Sequence, residues 1–245
     1  MTKAKNVRTP VTLCDAQCKL EKTLPRIHFH QQLVELKDKL LTMAALAQQT
    51  MEAAVEAYVQ RNAALCQYVR ENETAINTQH LEVDEMACDL LAKEQPMAID
   101  LRFILAVIKI NGDLERIGDQ AMSIAMRTLA VIEDEPVELP VDIAKMGEYA
   151  ARMIRTSIQA LLDGDAQLAE SILDMDDEID AMNRVAHAEL IRIIQERAEV
   201  APQALQAIIV SRNLERIGDH ATNIAADVIF WVRGADVRHQ LSAAE

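Results

Sequence analysis

Apolar positions recur at three- and four-residue intervals through most of this chain, the period of an amphipathic helix. Leu33, Leu36, Leu40, Met43, Leu46 and Ala47 form the first such stripe and predict a helix from about His28 to Arg61. Asn62 is suited to cap a second helix, which runs to about Glu94, where Gln95-Pro96 breaks it. A third helix is expected from about Ala98 to Val131. The segment VIEDEPVELP, with Pro136 and Pro140, reads as a linker. A fourth helix then runs to about Leu162, and Gly164-Asp165 supplies a C-cap followed by an N-cap. The fifth helix extends to about Ala198. The sixth starts near Pro202, a residue tolerated in a first turn, and ends near Gly234.

The pattern is thus three long helices, a linker, and three more. Within it the hexapeptide LERIGD occurs twice, at Leu114–Asp119 and Leu214–Asp219, and Ala121, Ile124 and Ala125 recur as Ala221, Ile224 and Ala225. Self-similarity at a fixed offset marks a tandem repeat. The fold expected is all-α, two pseudo-symmetric three-helix bundles. Its parts are an arm at 1–25, a first repeat at 26–132, a linker at 133–140, a second repeat at 141–234 and a tail at 235–245.

On the sixth helix Val210, Leu214, Ile217, Ala221, Ile224 and Val228 share the core face, while Ser211, Glu215, Asp219, Asn223 and Asp227 lie opposite. The third helix repeats this, with Ile110, Leu114, Ile117, Ala121 and Ile124 inward and Asn111, Glu115, Asp119 and Ser123 outward. Each repeat is therefore expected to carry a polar, carboxylate-rich ridge on the outside of its bundle. Two carboxylates at i, i+4 repel by a few tenths of a kcal/mol, and a cation reverses that sign. Oxygen donors without cysteine suit Mg²⁺, Mn²⁺, Ca²⁺ or iron. On the fifth helix Asp176, Asp180, Asn183 and His187 form a second polar stripe, placed to lean toward the sixth helix and complete a cation site. The matching residues of the first repeat are Glu73, Asn77, His80 and Asp84, so an amide replaces Asp180 there and the second site is expected to be the stronger. The alternative is a solvated acidic face, with Arg116 neutralising Asp113 and Asp119, and Arg216 neutralising Asp219. Gly118 and Gly218 each cost about 1 kcal/mol in a helix interior. They imply a close approach, read as helix–helix packing. Glu52 and Glu56 read as a solvated pair, Trp231 as a core residue and Phe230 as a candidate interface residue.

Composition narrows the function. Half of the 245 residues are apolar and few are aromatic, which supports a helical core. A net charge of −14 argues against nucleic acid and anionic lipid as direct partners. No apolar run reaches the roughly 20 residues needed to span a bilayer, and no signal-peptide core is visible. Cys14, Cys18, Cys66 and Cys88 lack zinc-site spacing and read as free cytosolic thiols. A carboxylate-bridged di-iron or di-manganese enzyme requires Glu-x-x-His, which is absent. Neither a nucleophile elbow nor a Gly-rich phosphate loop is present, so no catalytic residues are assigned and the chain is read as not an enzyme.

The segments LERIGDQAMSIA at 114–125, LERIGDHATNIA at 214–225, the DDEID run at Asp176–Asp180 and LAKEQPMAIDLR at Leu91–Arg102 resemble the PhoU family over about residues 26–234. The resemblance implies a cytoplasmic negative regulator of the phosphate-starvation response that also restrains phosphate uptake. Such a regulator couples a phosphate ABC transporter, through its ATPase subunit, to a membrane sensor histidine kinase. It implies recruitment to the inner face of the membrane through these partners, and a homodimer. Some members hold multinuclear metal clusters through E/DxxxD motifs. By position that names Glu115, Asp119, Glu215, Asp219, Asp176 and Asp180 as metal ligands, for Mg, Mn or Fe. Asn77 departs from the pattern, as do residues 1–25. A metal-independent acidic adaptor is the competing reading.

Overall fold

The computed structural model describes residues 13–235 and 237, with side chains from His28 onward. Among these residues there are six α-helices and no strand: α1 Leu13–Gln60, α2 Ala63–Glu94, α3 Ile99–Val131, α4 Ile143–Asp163, α5 Ala166–Glu196 and α6 Ala201–Arg233. A three-residue 3-10 turn, Ala198–Val200, precedes α6.

Local chemistry sets the boundaries. Asn62 Oδ1 accepts from the Ala64 and Leu65 amides at the start of α2, and Asp165 Oδ1 accepts from Gln167 and Leu168 at the start of α5. These are equivalent caps in the two repeats, each worth about 1 kcal/mol. Gly164 (φ 62°) ends α4 in the left-handed region, where glycine pays no Cβ penalty. Pro202 sits in the first turn of α6.

The first helix corrects the expected arm. α1 begins at Leu13 rather than near His28, so residues 13–25 are helical and the chain passes through Pro25 without leaving the helix. A proline removes one N–H donor but leaves the rest of the ladder intact, so it need not end a helix. Residues 1–12, and the tail apart from Ala235 and Val237, lie outside the described residues.

α1, α2 and α3 pack on one another, as do α4, α5 and α6. The bundles then join along α3 and α6, the most extensive helix pair of the fold, and along α1 and α4. One apolar core runs through both, from Leu36, Leu40 and Met43 through Ile110, Leu114 and Ile117 to Ile154, Leu214 and Ile224. The linker is held from both sides. Arg61 Nη2 donates to the carbonyls of Val131 and Asp134, and Gln203 Nε2 to that of Glu135. Glu52, expected to be merely solvated, pairs with Arg155 at 2.8 Å across the α1–α4 joint.

Candidate functional site

The glycines explain how each site is built. A Cβ on Gly218 would stand 2.9 Å from Ile179 Cγ2 and 3.4 Å from Met153 Sδ. A Cβ on Gly118 would stand 3.1 Å from Ile76 Cδ1. The bare backbone lets α5 close on α6, and α2 on α3, with Ile179 and Ile76 fully buried in the gap. Burying each isoleucine contributes about 1.5–3 kcal/mol, which outweighs the helix penalty of the glycine. The residue after each isoleucine, Asp180 or Asn77, is thereby brought to the turn that carries the repeated carboxylates. Helix packing is therefore the role of both glycines.

In the second repeat the expected lean of α5 toward α6 occurs. Thr222 Oγ1 donates to Asp176 Oδ1 at 3.0 Å. Asp176, Asp180, Glu215 and Asp219 lie close enough to repel one another, and three of them are raised from their ordinary values. Asp219 is pushed up to about 6, first by desolvation and then by the charges of Glu215, Asp176 and Asp180, with His220 pulling the other way. Desolvation leads for Glu215 too, followed by Asp180, while Arg212 and Arg216 counter it. Asp176 is raised by burial and by Asp180 and Asp177, against the Thr222 hydrogen bond. Glu215 Oε2 is buried without a hydrogen-bond partner. Arg184 reaches Asp180 at 3.6 Å from the exposed side.

The first repeat is quieter. Asn77 Nδ2 donates to Glu73 Oε1 at 2.6 Å, so the amide satisfies a carboxylate instead of repelling it. Asn111 Nδ2 donates to the His80 carbonyl and to Asp84 Oδ1, both at 2.9 Å. Glu115 is half-buried and Asp119 exposed on α3. His80 lies 3.5 Å from Asp84, and His187 is exposed.

The outward ridges need correction at their ends. Asn111, Ser211 and Asp227 are buried, not solvated. Ser211 Oγ meets Asn183 Oδ1 at 3.1 Å, and Asp227 accepts from Lys109 Nζ at 3.3 Å. Ser123 and Asn223 turn into the α3–α6 seam. Asp113 takes His220 Nδ1 at 2.9 Å across that seam, rather than Arg116 along its own helix. A helical wheel knows one buried side, whereas α3 and α6 are flanked by helices on two more. Lys109 and His220 carry no periodic signal of their own, and only the pairing of α3 with α6 reveals their role. Trp231 packs on Phe103 with ring centroids 5.0 Å apart, and Lys109 lies 4.9 Å from the Phe230 ring centre. Among the described residues no three His, Cys, Asp or Glu side chains converge as a ready-made metal cage. Cys66 and Cys88 are free thiols; the side chains of Cys14 and Cys18 lie outside the described residues.

Two helical repeats, glycine-packed and each bearing the same carboxylate pair on its last helix, define a class of tandem three-helix proteins with acidic faces. The comparisons place the chain within that class. The model of the PhoU domain matches residues 40–128 and again 143–228. The chain is 38% identical over 212 residues to the phosphate-specific transport system accessory protein PhoU homolog of Pseudomonas putida, covering 86% of this chain and 83% of that protein. It is 30% identical over 220 residues to PhoU homolog 1 of Thermotoga maritima, covering 89% and 95%. The crystal structure of PhoU from Pseudomonas aeruginosa superimposes with a TM-score of 0.82 at 36% identity, covering 84% of this chain and 100% of that one. The phosphate transport system regulatory protein PhoU from Streptococcus pneumoniae gives 0.79 at 26% identity, with 85% and 99% covered. The chain belongs to the PhoU family.

Proposed function

We propose that this protein is a negative regulator of the phosphate-starvation response and a modulator of phosphate uptake, coupling a phosphate ABC transporter to a sensor histidine kinase. It acts by binding and not by catalysis, in the cytoplasm and at the inner face of the membrane, where its partners hold it, and as a homodimer. The observation that carries the reading is the match in sequence and fold, over 86% and 85% of this chain, to accessory and regulatory proteins of phosphate transport. Two physical features support it. Among the described residues no helix is long and apolar enough to cross a membrane, so membrane partners would have to supply the anchorage. The acidic faces repel free phosphate unless a cation intervenes. A strain lacking the protein is expected to express phosphate-starvation genes in abundant phosphate and to take up phosphate without restraint. Unchanged expression and uptake would falsify the reading.

Cation binding belongs to the same proposal. Asp176, Asp180, Glu215 and Asp219 supply hard oxygen donors, and the buried, unpartnered Glu215 Oε2 fits such a role. A bound Mg²⁺, Mn²⁺ or Fe²⁺ would offset part of the crowded charge on an open surface that stays acidic toward partners. Glu115 and Asp119 would hold a second, weaker ion. Elemental analysis of the purified chain beside a Glu215→Ala/Asp219→Ala variant tests this; stoichiometric metal lost in the variant is the expected result. A metal-independent adaptor is favoured by one observation, the lack of a converged three-ligand cage among the described residues. Partner binding that is indifferent to chelator would select it.

A further inference from the structure

α3 and α6 run antiparallel, and the contacts in their seam repeat. Asn213 Nδ2 donates to Ser123 Oγ at 2.9 Å, and Asn223 Nδ2 approaches Asp113 Oδ1 at 3.4 Å. These are the same two positions of the repeat, paired once in each direction: 213 with 123, and 113 with 223. Such reciprocity is what a two-fold relation produces. A local two-fold axis therefore passes through the α3–α6 seam, perpendicular to both helices.

The surface over that seam inherits the symmetry. On α3, Leu105, Ile108, Glu115 and Asp119 fall within about 80° of one another, directly away from the core stripe. On α6 the same positions are Leu205, Ile208, Glu215 and Asp219. Leu105 is 37% exposed and Leu205 52%. Ile108 and Ile208 are half-buried beside them. Because the helices are antiparallel, these apolar pairs sit at opposite ends of the face, and the carboxylates occupy its middle. Asp176 and Asp180 add to that middle from α5. Six carboxylates thus stand against four exposed guanidiniums, Arg116, Arg212, Arg216 and the Arg184 that meets Asp180.

A single exposed leucine needs no explanation. The same leucine in both repeats is different, because the two ridges have diverged nearby: Gly112 stands where α6 has Arg212, and Asn77 where α5 has Asp180. Through that divergence the order of apolar end and acidic middle is kept on both helices. A Cβ at Gly112 would meet nothing within 4 Å, so this side of α3 is open to an approaching chain.

We propose that the α3–α6 face is the docking surface for a homodimeric partner. The partner seats its own two-fold axis over the seam and gives each repeat one copy of the same element. That element carries an apolar side chain for Leu105 and Ile108, or for Leu205 and Ile208, and lysine or arginine for the carboxylates. One chain then serves two partner subunits, which a single-repeat protein could do only as a dimer. A second copy of this chain is disfavoured as the occupant, because stacking two such faces sets six carboxylates against six, in molecules of net charge −14. The inference rests on the regulatory reading above, and it adds the surface and the stoichiometry.

The test uses the full chain with two purified probes, the ATPase subunit of the phosphate transporter and the cytoplasmic portion of the sensor kinase, each as a dimer. Light scattering after size exclusion is expected to show one chain per probe dimer for at least one of them. Leu105→Arg and Leu205→Arg are each expected to weaken that complex at least threefold, and by similar factors. The double variant is expected to weaken it at least tenfold, while Val185→Arg, on the exposed side of α5, leaves it unchanged. Circular dichroism checks the fold, with Leu105→Ser and Leu205→Ser as milder versions. Binding of one chain per probe subunit, or loss confined to one repeat, or indifference to all these variants, overturns the inference and leaves the regulatory reading standing. A change in the chain's own assembly in these variants also overturns it, by assigning the face to self-association. If neither probe binds the wild-type chain, the regulatory reading falls and this inference falls with it.

Discussion

In the second repeat Glu215 and Asp219 stand across from Asp176 and Asp180; in the first, Glu115 and Asp119 stand across from Glu73 and Asn77. Both sites rest on the same framework, a side-chain cap at the start of the preceding helix and a glycine beneath an isoleucine. One nitrogen in place of one oxygen changes what the site does with its charge. Asn77 donates to Glu73 at 2.6 Å and so meets that carboxylate with a proton instead of a charge. Asp180 has no such proton to donate; Arg184 meets it from the exposed side, and its charge helps to raise Glu215 and Asp219. A helical scaffold can therefore be duplicated while an amide in place of an acid changes how each copy holds its charge.

The packing beneath the two sites gives the largest expected difference. Gly218→Ala gains helix propensity worth about 1 kcal/mol but drives a Cβ into Ile179 and Met153, an overpacking cost of about 1–3 kcal/mol. A net loss of about 1–2 kcal/mol is expected in denaturant unfolding. At Gly118 the tight approach is to the terminal Cδ1 of Ile76, with Cγ2 at an ordinary 3.4 Å, so Gly118→Ala should fall within about 0.5 kcal/mol of wild type. Equal losses would show that the two interfaces are equally tight.

Exchanging the amide and the acid tests the comparison directly. Asn77→Asp should raise the Mn²⁺ affinity of the first site by about tenfold, and Asp180→Asn should lower that of the second by a similar factor. Calorimetric titration reads both. If Asn77→Asp leaves the isotherm unchanged, the first site is closed for another reason.

The titration of Asp219 gives a smaller signal. Its folded-state value near 6 lies above its ordinary 3.8, so the folded chain holds this proton more tightly than the unfolded chain does. The stabilising contribution is complete below about pH 4 and is lost as pH rises through 6. Glu215 and Asp176 are shifted in the same direction. After allowance for solvent screening the Asp219 share is about 1 kcal/mol. It is read in chelator as the difference in pH dependence between the wild type and Asp219→Asn. A stability curve that is the same in both would show that the crowding of charges is relieved in solution.

The smallest effect should be symmetric. Asn62→Ala and Asp165→Ala each remove one side-chain cap that accepts two backbone amides, and should cost about 0.5–1 kcal/mol apiece, with Tm values that agree closely.

These contrasts also separate what local chemistry writes into the sequence from what tertiary packing adds. The six helices, the caps at Asn62 and Asp165 and the closing glycines at 164 and 234 are written in local chemistry, which acts within a few residues. The doubled LERIGD was legible for the same reason. The burial of Asn111, Ser211 and Asp227 was not, because it depends on helices about 30 to 120 residues away in sequence. The convergence of Asp176 and Asp180 on α6 was only half legible. Periodicity put them on one stripe, but Ile179 beneath Gly218 decides which way that stripe turns. The early start of α1 was hidden by Pro25, which periodicity treats as a stop and a long helix does not.

The apolar core that runs unbroken from Leu36 to Ile224 has a final consequence. Two copies that began as one unit no longer have interiors of their own, so the molecule should melt in a single transition rather than repeat by repeat. Severing the linker would leave the halves clasped, whereas expressing either half alone would lay bare the α3–α6 seam and invite aggregation. The duplicated protein has in this sense become indivisible.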